Sequence, residues 1–403
     1  MLLSANDYHD SSLRPNGGNA TTPKETHRMA YFFMISSAVL LAVHSYLFWK
    51  LRQWLGGRIW QLPVLLLFAL MLVMLIFRRE LFAQIPPFVS NFNFIWLGFI
   101  LLAFGVFLAL DLLTLLAYLA KWVSGFDLTG LLAPSRRIPL GLALSVCLAA
   151  YSLWSAQNVR VNVHEIATAK LPSGVERVRV VQLSDIHLSE STGAADLRKI
   201  DAKVRELAPD IIAFTGDLVD TDMENRAEEA LILRDLPASS GKYAVMGNHE
   251  YYRGLANSRA FMRRSGLEIL ENQAVADKSG IIVVGVDDPV MPRKPEDPAD
   301  LATLLKRQDQ SRFILLLKHR PYVEPEETGL FDLQLSGHTH GGQIWPGTIL
   351  AKRFNRNVEQ GLTELVSGAG RSLLYVSNGT GYWGPPMRFM APPEIAVFDL
   401  VRK

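Results

Sequence analysis

Residues 177–187 read Arg177-Val178-Arg179-Val180-Val181-Gln182-Leu183-Ser184-Asp185-Ile186-His187. The first seven are rich in β-branched and apolar side chains and contain no Gly or Pro, which predicts a strand over Arg177–Leu183. What leaves that strand is metal-capable: Asp185-x-His187. In an extended segment alternate side chains point the same way, so this pair can reach one site. The same arrangement recurs along the chain. Gly216-Asp217 follows the run 210–214, with Asp220 three residues on; Gly247-Asn248-His249-Glu250 follows 243–246; His319 follows 313–318; Gly337-His338-Thr339-His340-Gly341-Gly342 follows 333–335.

Around these ends, β-rich runs at 177–183, 211–215, 243–246, 281–286, 313–317, 333–336, 374–377 and 395–400 alternate with helical patterns at 194–207, 224–236, 255–265 and 298–306. Strand–helix alternation followed by a strand-rich tail reads as an α/β soluble domain with a mixed sheet. In such sheets, loops leaving the carboxyl ends of strands converge on one crevice. Five strand ends then deliver Asp185, Asp217, Asp220, Asn248 and five of the nine histidines to a common region. Imidazole and carboxylate together suit first-row divalent metals, whereas carboxylates alone would point to Mg or Ca. A carboxylate can bridge two ions, and two-metal sites stabilise the attacking and leaving oxygens of a phosphoryl displacement. Asp220 is set aside here as the N-cap of the helix that follows.

The chain holds 41 Lys and Arg against 39 Asp and Glu, and 49% of its 403 residues are apolar, which excludes a polyanion-coating or disordered protein. The distribution is uneven. Residues 1–158 carry 11 basic and 6 acidic side chains, the remainder 30 and 33. Four apolar stretches, 29–49, 59–77, 94–119 and 138–156, are each about as long as the roughly 20 residues a bilayer crossing needs. Trp and Tyr with Lys and Arg stand at their flanks. The expected organisation is a flexible tail (1–28), a four-helix transmembrane region (29–156), a linker (157–175) and a soluble domain (176–403). Four crossings place both termini on the same side of a cell membrane; seven against six flanking cations do not say which. Asp111 and His44 lie inside spans, and Asp111 is read as a neutral acid hydrogen-bonded to a neighbouring helix. The single cysteine, Cys147, excludes an intrachain disulfide.

The five blocks, in this order, resemble the calcineurin-like metallophosphoesterase superfamily over roughly residues 176–403. The run His338–Gln343, Ser377-Asn378-Gly379-Thr380-Gly381, Arg388 and Pro393-Glu394 are similar to its membrane-attached branch, which includes enzymes acting on lipid-linked phosphoesters. The resemblance implies a β-sandwich of mixed sheets flanked by helices. It implies two divalent ions (Mn, Zn, Fe or similar), with Asp185, His187 and His340 on one, Asn248, His319 and His338 on the other, and Asp217 bridging. His249 becomes the non-ligand histidine that meets the phosphate and assists the leaving group, while a hydroxide held between the ions attacks in line. Arg388 is the expected substrate contact. Glu250 departs from the family, many of whose members have Asp there.

The expected function is a membrane-bound phosphoesterase acting on a lipid-linked phosphoester or pyrophosphate, with membrane lipids as partners. The alternatives are a broad phosphodiesterase or phosphatase merely tethered to the membrane, and a non-catalytic receptor or scaffold. Gly379–Gly384 spells G-x-G-x-x-G, but Pro385-Pro386 denies it the helix a dinucleotide site needs. No P-loop and no basic aromatic stripe suggest a nucleic-acid partner.

Overall fold

The computed structural model describes residues 23–55, 58–76, 87–291, 297, 300–368 and 370–403. The chain divides into two compact units, 1–149 and 150–403. The first is built of α1 (Pro23–Trp54), α2 (Arg58–Ile76), α3 (Pro87–Ser124) and most of α4 (Pro134–Ala156). Three of these contain stretches long and apolar enough to cross a bilayer, Met34–Trp54, Asn91–Ser124 and Pro134–Ala156; α2 adds the shorter apolar stretch Gln61–Val73. The expected second span is therefore a helix of 19 residues, with Phe77 outside the described residues. Residues 23–28, expected as tail, open α1 instead, and residues 1–22 lie outside the described residues.

Asp111 is hydrogen-bonded to a neighbouring helix, as expected, but two of its partners are cations. It accepts from Tyr46 Oη at 2.6 Å and Lys50 Nζ at 2.6 Å, and Arg137 Nη1 stands 3.2 Å away. Two cations and a phenol from α1 and α4 meet a single carboxylate on α3. Pairing of this kind is how a charged group is tolerated among apolar helices. His44 is likewise absorbed locally, between Leu40 O at 2.8 Å and Trp96 Nε1 at 3.2 Å.

In the second unit, α4 ends at Ala156 and β1 (Arg160–Thr168) begins after three intervening residues, inside the segment expected as linker. Val161 and Val163 in this strand are exposed, so it lacks the buried apolar side chains that mark the core strands. The strands that follow are β2 (Arg177–Leu183), β3 (Ile211–Thr215), β4 (Gly241–Val245), β5 (Glu268–Ile269), β6 (Gln273–Ala276), β7 (Ile282–Val286), β8 (Ile314–Lys318), β9 (Leu333–Ser336), β10 (Gly361–Ser367), β11 (Gly370–Val376) and β12 (Glu394–Arg402). They form two six-stranded mixed sheets, ordered β1-β12-β2-β3-β4-β5 and β10-β11-β9-β8-β7-β6. The last strand inserts between the first two, parallel to β1 and antiparallel to β2.

One core lies between the sheets, where Val180, Ile211 and Val245 meet Val283, Leu315 and Leu335. A second packs the outer face of the first sheet under the helices Ala194–Leu207, Ala227–Arg234 and Leu255–Arg264, through Leu197, Leu233 and Phe261. A third lies outside the other sheet, where Leu305 meets Ile314 and Leu316. Double-sided burial explains why β3 and β8 read as four-residue apolar runs, Ile211–Phe214 and Ile314–Leu317. The result is a sandwich of mixed sheets with helices on both outer faces. Strands β2, β3, β4, β8 and β9 all end beside one another, and that edge carries the polar loops.

Candidate metal centre

The loops leaving β2, β3, β8 and β9, and the short helix Asn248–Tyr252 after β4, bring every expected metal-site residue together. Asp185, His187 and His340 offer ligand atoms all within 4.8 Å of one another; so do Asp217, His319 and His338, and so do His187, Asp217 and His249. His187 Nε2 lies 2.9 Å from His340 Nε2, and His340 Nε2 lies 3.4 Å from Asp185 Oδ1. On the other side, His319 Nε2 is 3.1 Å from His338 Nδ1, 3.3 Å from Asn248 Oδ1 and 3.2 Å from Asp217 Oδ2. Asp217 also faces His187 Nε2 at 3.8 Å, so it stands between the two groups.

The backbone is bent to achieve this. Asp185, His187, Asp217, His338 and His340 all have φ between 50° and 70°. Such left-handed positions cost about 1–3 kcal/mol each in non-glycine residues and persist where surrounding structure enforces them. Enforcement is visible. His338 N donates to both Asp185 oxygens at 3.0 and 3.2 Å, and His249 N donates to Asp217 Oδ1 at 2.9 Å. Glu250, fully buried, accepts from the backbone of Asp217 (3.0 Å), Gly247 (2.8 Å) and Val219 (2.9 Å), clamping the β3 and β4 loops. Gly337 is required by close approach: a Cβ there would lie 2.0 Å from Ser184 Oγ and 2.1 Å from Asp185 Oδ2.

The donor set fits divalent metal. His319 Nδ1 donates to Thr215 O at 2.8 Å, which leaves a neutral ring only its Nε2 lone pair. That lone pair faces a carboxylate oxygen and an amide oxygen, acceptors that repel unless positive charge sits among them. Electrostatics says the same. Burial opposes a charge on His319, but the Asp217 carboxylate outweighs it and lifts the ring to about 10. Burial also opposes the charge on Asp217, which His319 nonetheless holds well below the usual carboxylate range. Burial pushes His187 down to about 4, and His338 and His340 well below the imidazole range, keeping them neutral as ligands must be. His187 Nδ1 is buried with no hydrogen-bond partner among the described residues.

Residues 178–342 match the family model described as calcineurin-like phosphoesterase. A relative from Aquifex aeolicus named an uncharacterized metallophosphoesterase is 35% identical over 64% of this chain and 98% of its own length. The chain belongs to the calcineurin-like phosphoesterases. A Helicobacter pylori relative of the same name is 34% identical over 57% of this chain, which spans only 61% of that protein. A Danio rerio relative, named a transmembrane protein with metallophosphoesterase domain, is 30% identical over 91% of this chain and 88% of its own. Membership makes this calcineurin-like phosphoesterase a metal-dependent phosphoester hydrolase, and its apolar helices make it membrane-associated.

Two expectations about this phosphoesterase's site change. Arg388 does not face substrate. It is fully buried, and its guanidinium donates to the carbonyls of His340 (2.9 Å), Asn378 (2.7 Å), Ala391 (3.3 Å) and Gly381 (3.1 Å). It braces the loop that carries His340 from behind, and burial pushes it down to about 10. Asp220 is no helix cap. Its Oδ1 lies 2.8 Å from His249 Nδ1 and 2.9 Å from Arg253 Nη2. Although burial works against a charge on His249, Asp220 outweighs it and raises the ring above the ordinary imidazole value. An acid three residues past a strand-end Gly-Asp was the available signal.

Proposed function

We propose that the protein hydrolyses a phosphoester or pyrophosphate carried on a membrane lipid, with two divalent ions in the centre just described. The observation that carries the reading is the pair of ligand groups on either side of Asp217. Asp185, His187 and His340 would hold one ion, Asn248, His319 and His338 the other, and Asp217, whose Oδ2 faces His187 and His319 alike, would be shared between them. When bound, such ions neutralise phosphoryl oxygens and make a water acidic enough to attack near neutral pH.

The chain's own contribution is to hold and move a proton. Asp220 fixes His249 through Nδ1, leaving Nε2 as the position that passes a proton to the departing oxygen. Glu250 and Arg388 keep the ligand loops in place without touching the reacting group.

A lipid-borne substrate is supported by the short connection. Only residues 157–159 separate the apolar helix α4 from β1, so the domain has little reach away from the bilayer. The test is the full chain in mild detergent, stripped of metal and assayed on an aryl phosphodiester with Mn, Zn, Fe or Mg returned, beside Asp217→Asn. Metal-restored turnover that the variant lacks is expected. Vesicle-borne phospholipid esters then compete against soluble ones, and equal or better turnover of the soluble set overturns the lipid reading while leaving the hydrolase intact.

A further inference from the structure

We propose that an apolar and basic rim beside the metal centre rests in the headgroup layer of an anionic bilayer. This goes beyond the substrate reading, because it concerns where a surface sits and holds without any turnover.

The rim is one continuous piece of the second unit. At its inner end Trp383 is 45% exposed, with its ring 5.6 Å from that of His249. The Gln343 side chain grips this tryptophan, donating to Trp383 O and accepting from Trp383 N, both at 2.9 Å. Phe389 N donates to Gln343 O at 2.9 Å, and Trp345 N donates to Phe389 O at 3.3 Å. From there the helix Gly347–Phe354 begins. Its Ile349 and Leu350 are 62% and 50% exposed, and neighbouring Met390 is 69% exposed. Arg353 is exposed on the same helix, as is Lys352, which pairs with Glu359 at 2.5 Å. At its outer end the rim is bonded to the last turns of α4: Arg388 N donates to Ser152 O at 2.9 Å, and Phe389 meets the Tyr151 ring edge-on at 6.3 Å. Tyr151 and Trp154 are themselves exposed.

Large apolar side chains gathered on one exposed edge mark a contact surface. Trp, Tyr, Met and Leu flanked by Lys and Arg is the composition of a segment lying in a membrane interface, where anionic headgroups attract the cations. The attachment decides the occupant. Residues 150–156 end an apolar stretch long enough to cross a bilayer, so Tyr151 and Trp154 stand where such a helix leaves the hydrocarbon. A surface hydrogen-bonded to that point meets lipid before it meets a soluble partner.

The test uses the full chain with Cys147→Ser and single cysteines at Ile349→Cys or Met390→Cys, labelled with a bimane fluorophore. The protein is reconstituted into bilayers of phosphatidylcholine and phosphatidylglycerol with or without brominated acyl chains. Lys278→Cys is the control, in the turn before β7 and so at the opposite end of the strands from the metal centre. Loss of most of the fluorescence at Ile349→Cys and Met390→Cys in brominated bilayers, with little at Lys278→Cys, is expected. Quenching at either rim probe no greater than at the control overturns the proposal. Each probe decides by itself if the other variant fails to reconstitute. No activity is read, so a failure here and a failure of the lipid-substrate reading are separate results.

Discussion

Asp220 holds His249 by its Nδ1 atom at 2.8 Å, and the same carboxylate oxygen also accepts from Arg253 Nε at 3.1 Å. The histidine's orientation is thus set by a residue outside the five sequence blocks. Asp220→Asn should lower kcat roughly 10–100-fold with little change in KM, as lost orienting partners commonly do. His249→Ala should lose roughly 10²–10⁴-fold, and both losses should shrink on p-nitrophenyl esters, whose leaving group needs no proton. Equal losses on good and poor leaving groups would assign Asp220 a structural role only.

Metal content should follow the two ligand groups. Calorimetric titration of the stripped protein is expected to show two ions, and saturating metal should raise Tm because only the folded state presents the site. Asp217→Asn should weaken both binding events, since its carboxylate faces His187 and His319 alike. A variant that loses one ion and binds the other unchanged would place Asp217 on a single metal.

Arg388→Met should destabilise the soluble domain by about 2–4 kcal/mol, because four buried carbonyls lose their donor. Metal affinity should fall with it through His340. A variant of normal Tm and metal content but raised KM would return Arg388 to the substrate-contact role.

Acid sensitivity should have a source far from the centre. Arg179 and Asp399 sit directly opposite on β2 and β12 and pair through two bonds of 2.7 and 2.8 Å. The Arg179 guanidinium beside Asp399 holds its carboxyl below the ordinary 3.8. A depressed carboxyl contributes stability that is full above its unfolded value and lost as pH falls through the folded one. Asp399→Asn should therefore lower Tm at neutral pH, by no more than about 1 kcal/mol of stability, and flatten the fall in Tm below pH 4. Parallel Tm–pH curves for the two proteins would refute the assignment.

The ligand loops were legible because the metal-capable residues follow strands buried on both faces, which write apolar runs at Ile211–Phe214 and Ile314–Leu317. Residues acting through others were not. Arg388 lies in a loop without periodicity, and charge alone suggested substrate, whereas its partners are backbone carbonyls that no side-chain pattern records. Asp220 carries the letter of a helix cap and differs from one only in what lies across from it. β1 was hidden because it follows α4 so closely and pairs with β12, the strand most distant from it in sequence. The cationic partners of Asp111 were not legible because Lys50 and Arg137 stand near helix ends, where cations are ordinary flanking residues.

The position of β12 has a consequence for the order of events at synthesis. It lies between β1 and β2 yet follows every other strand in the sequence. While the ribosome still holds those residues, the first sheet has a gap at its second place, and Val178 and Val397 lack their final packing. The apolar helices can therefore enter the bilayer well before the domain closes, and completion waits on a contact of very long sequence separation, which is intrinsically slow. Until that strand arrives, the loops that gather the histidines are anchored on an unfinished sheet, so ion capture should be among the last steps of maturation rather than the first.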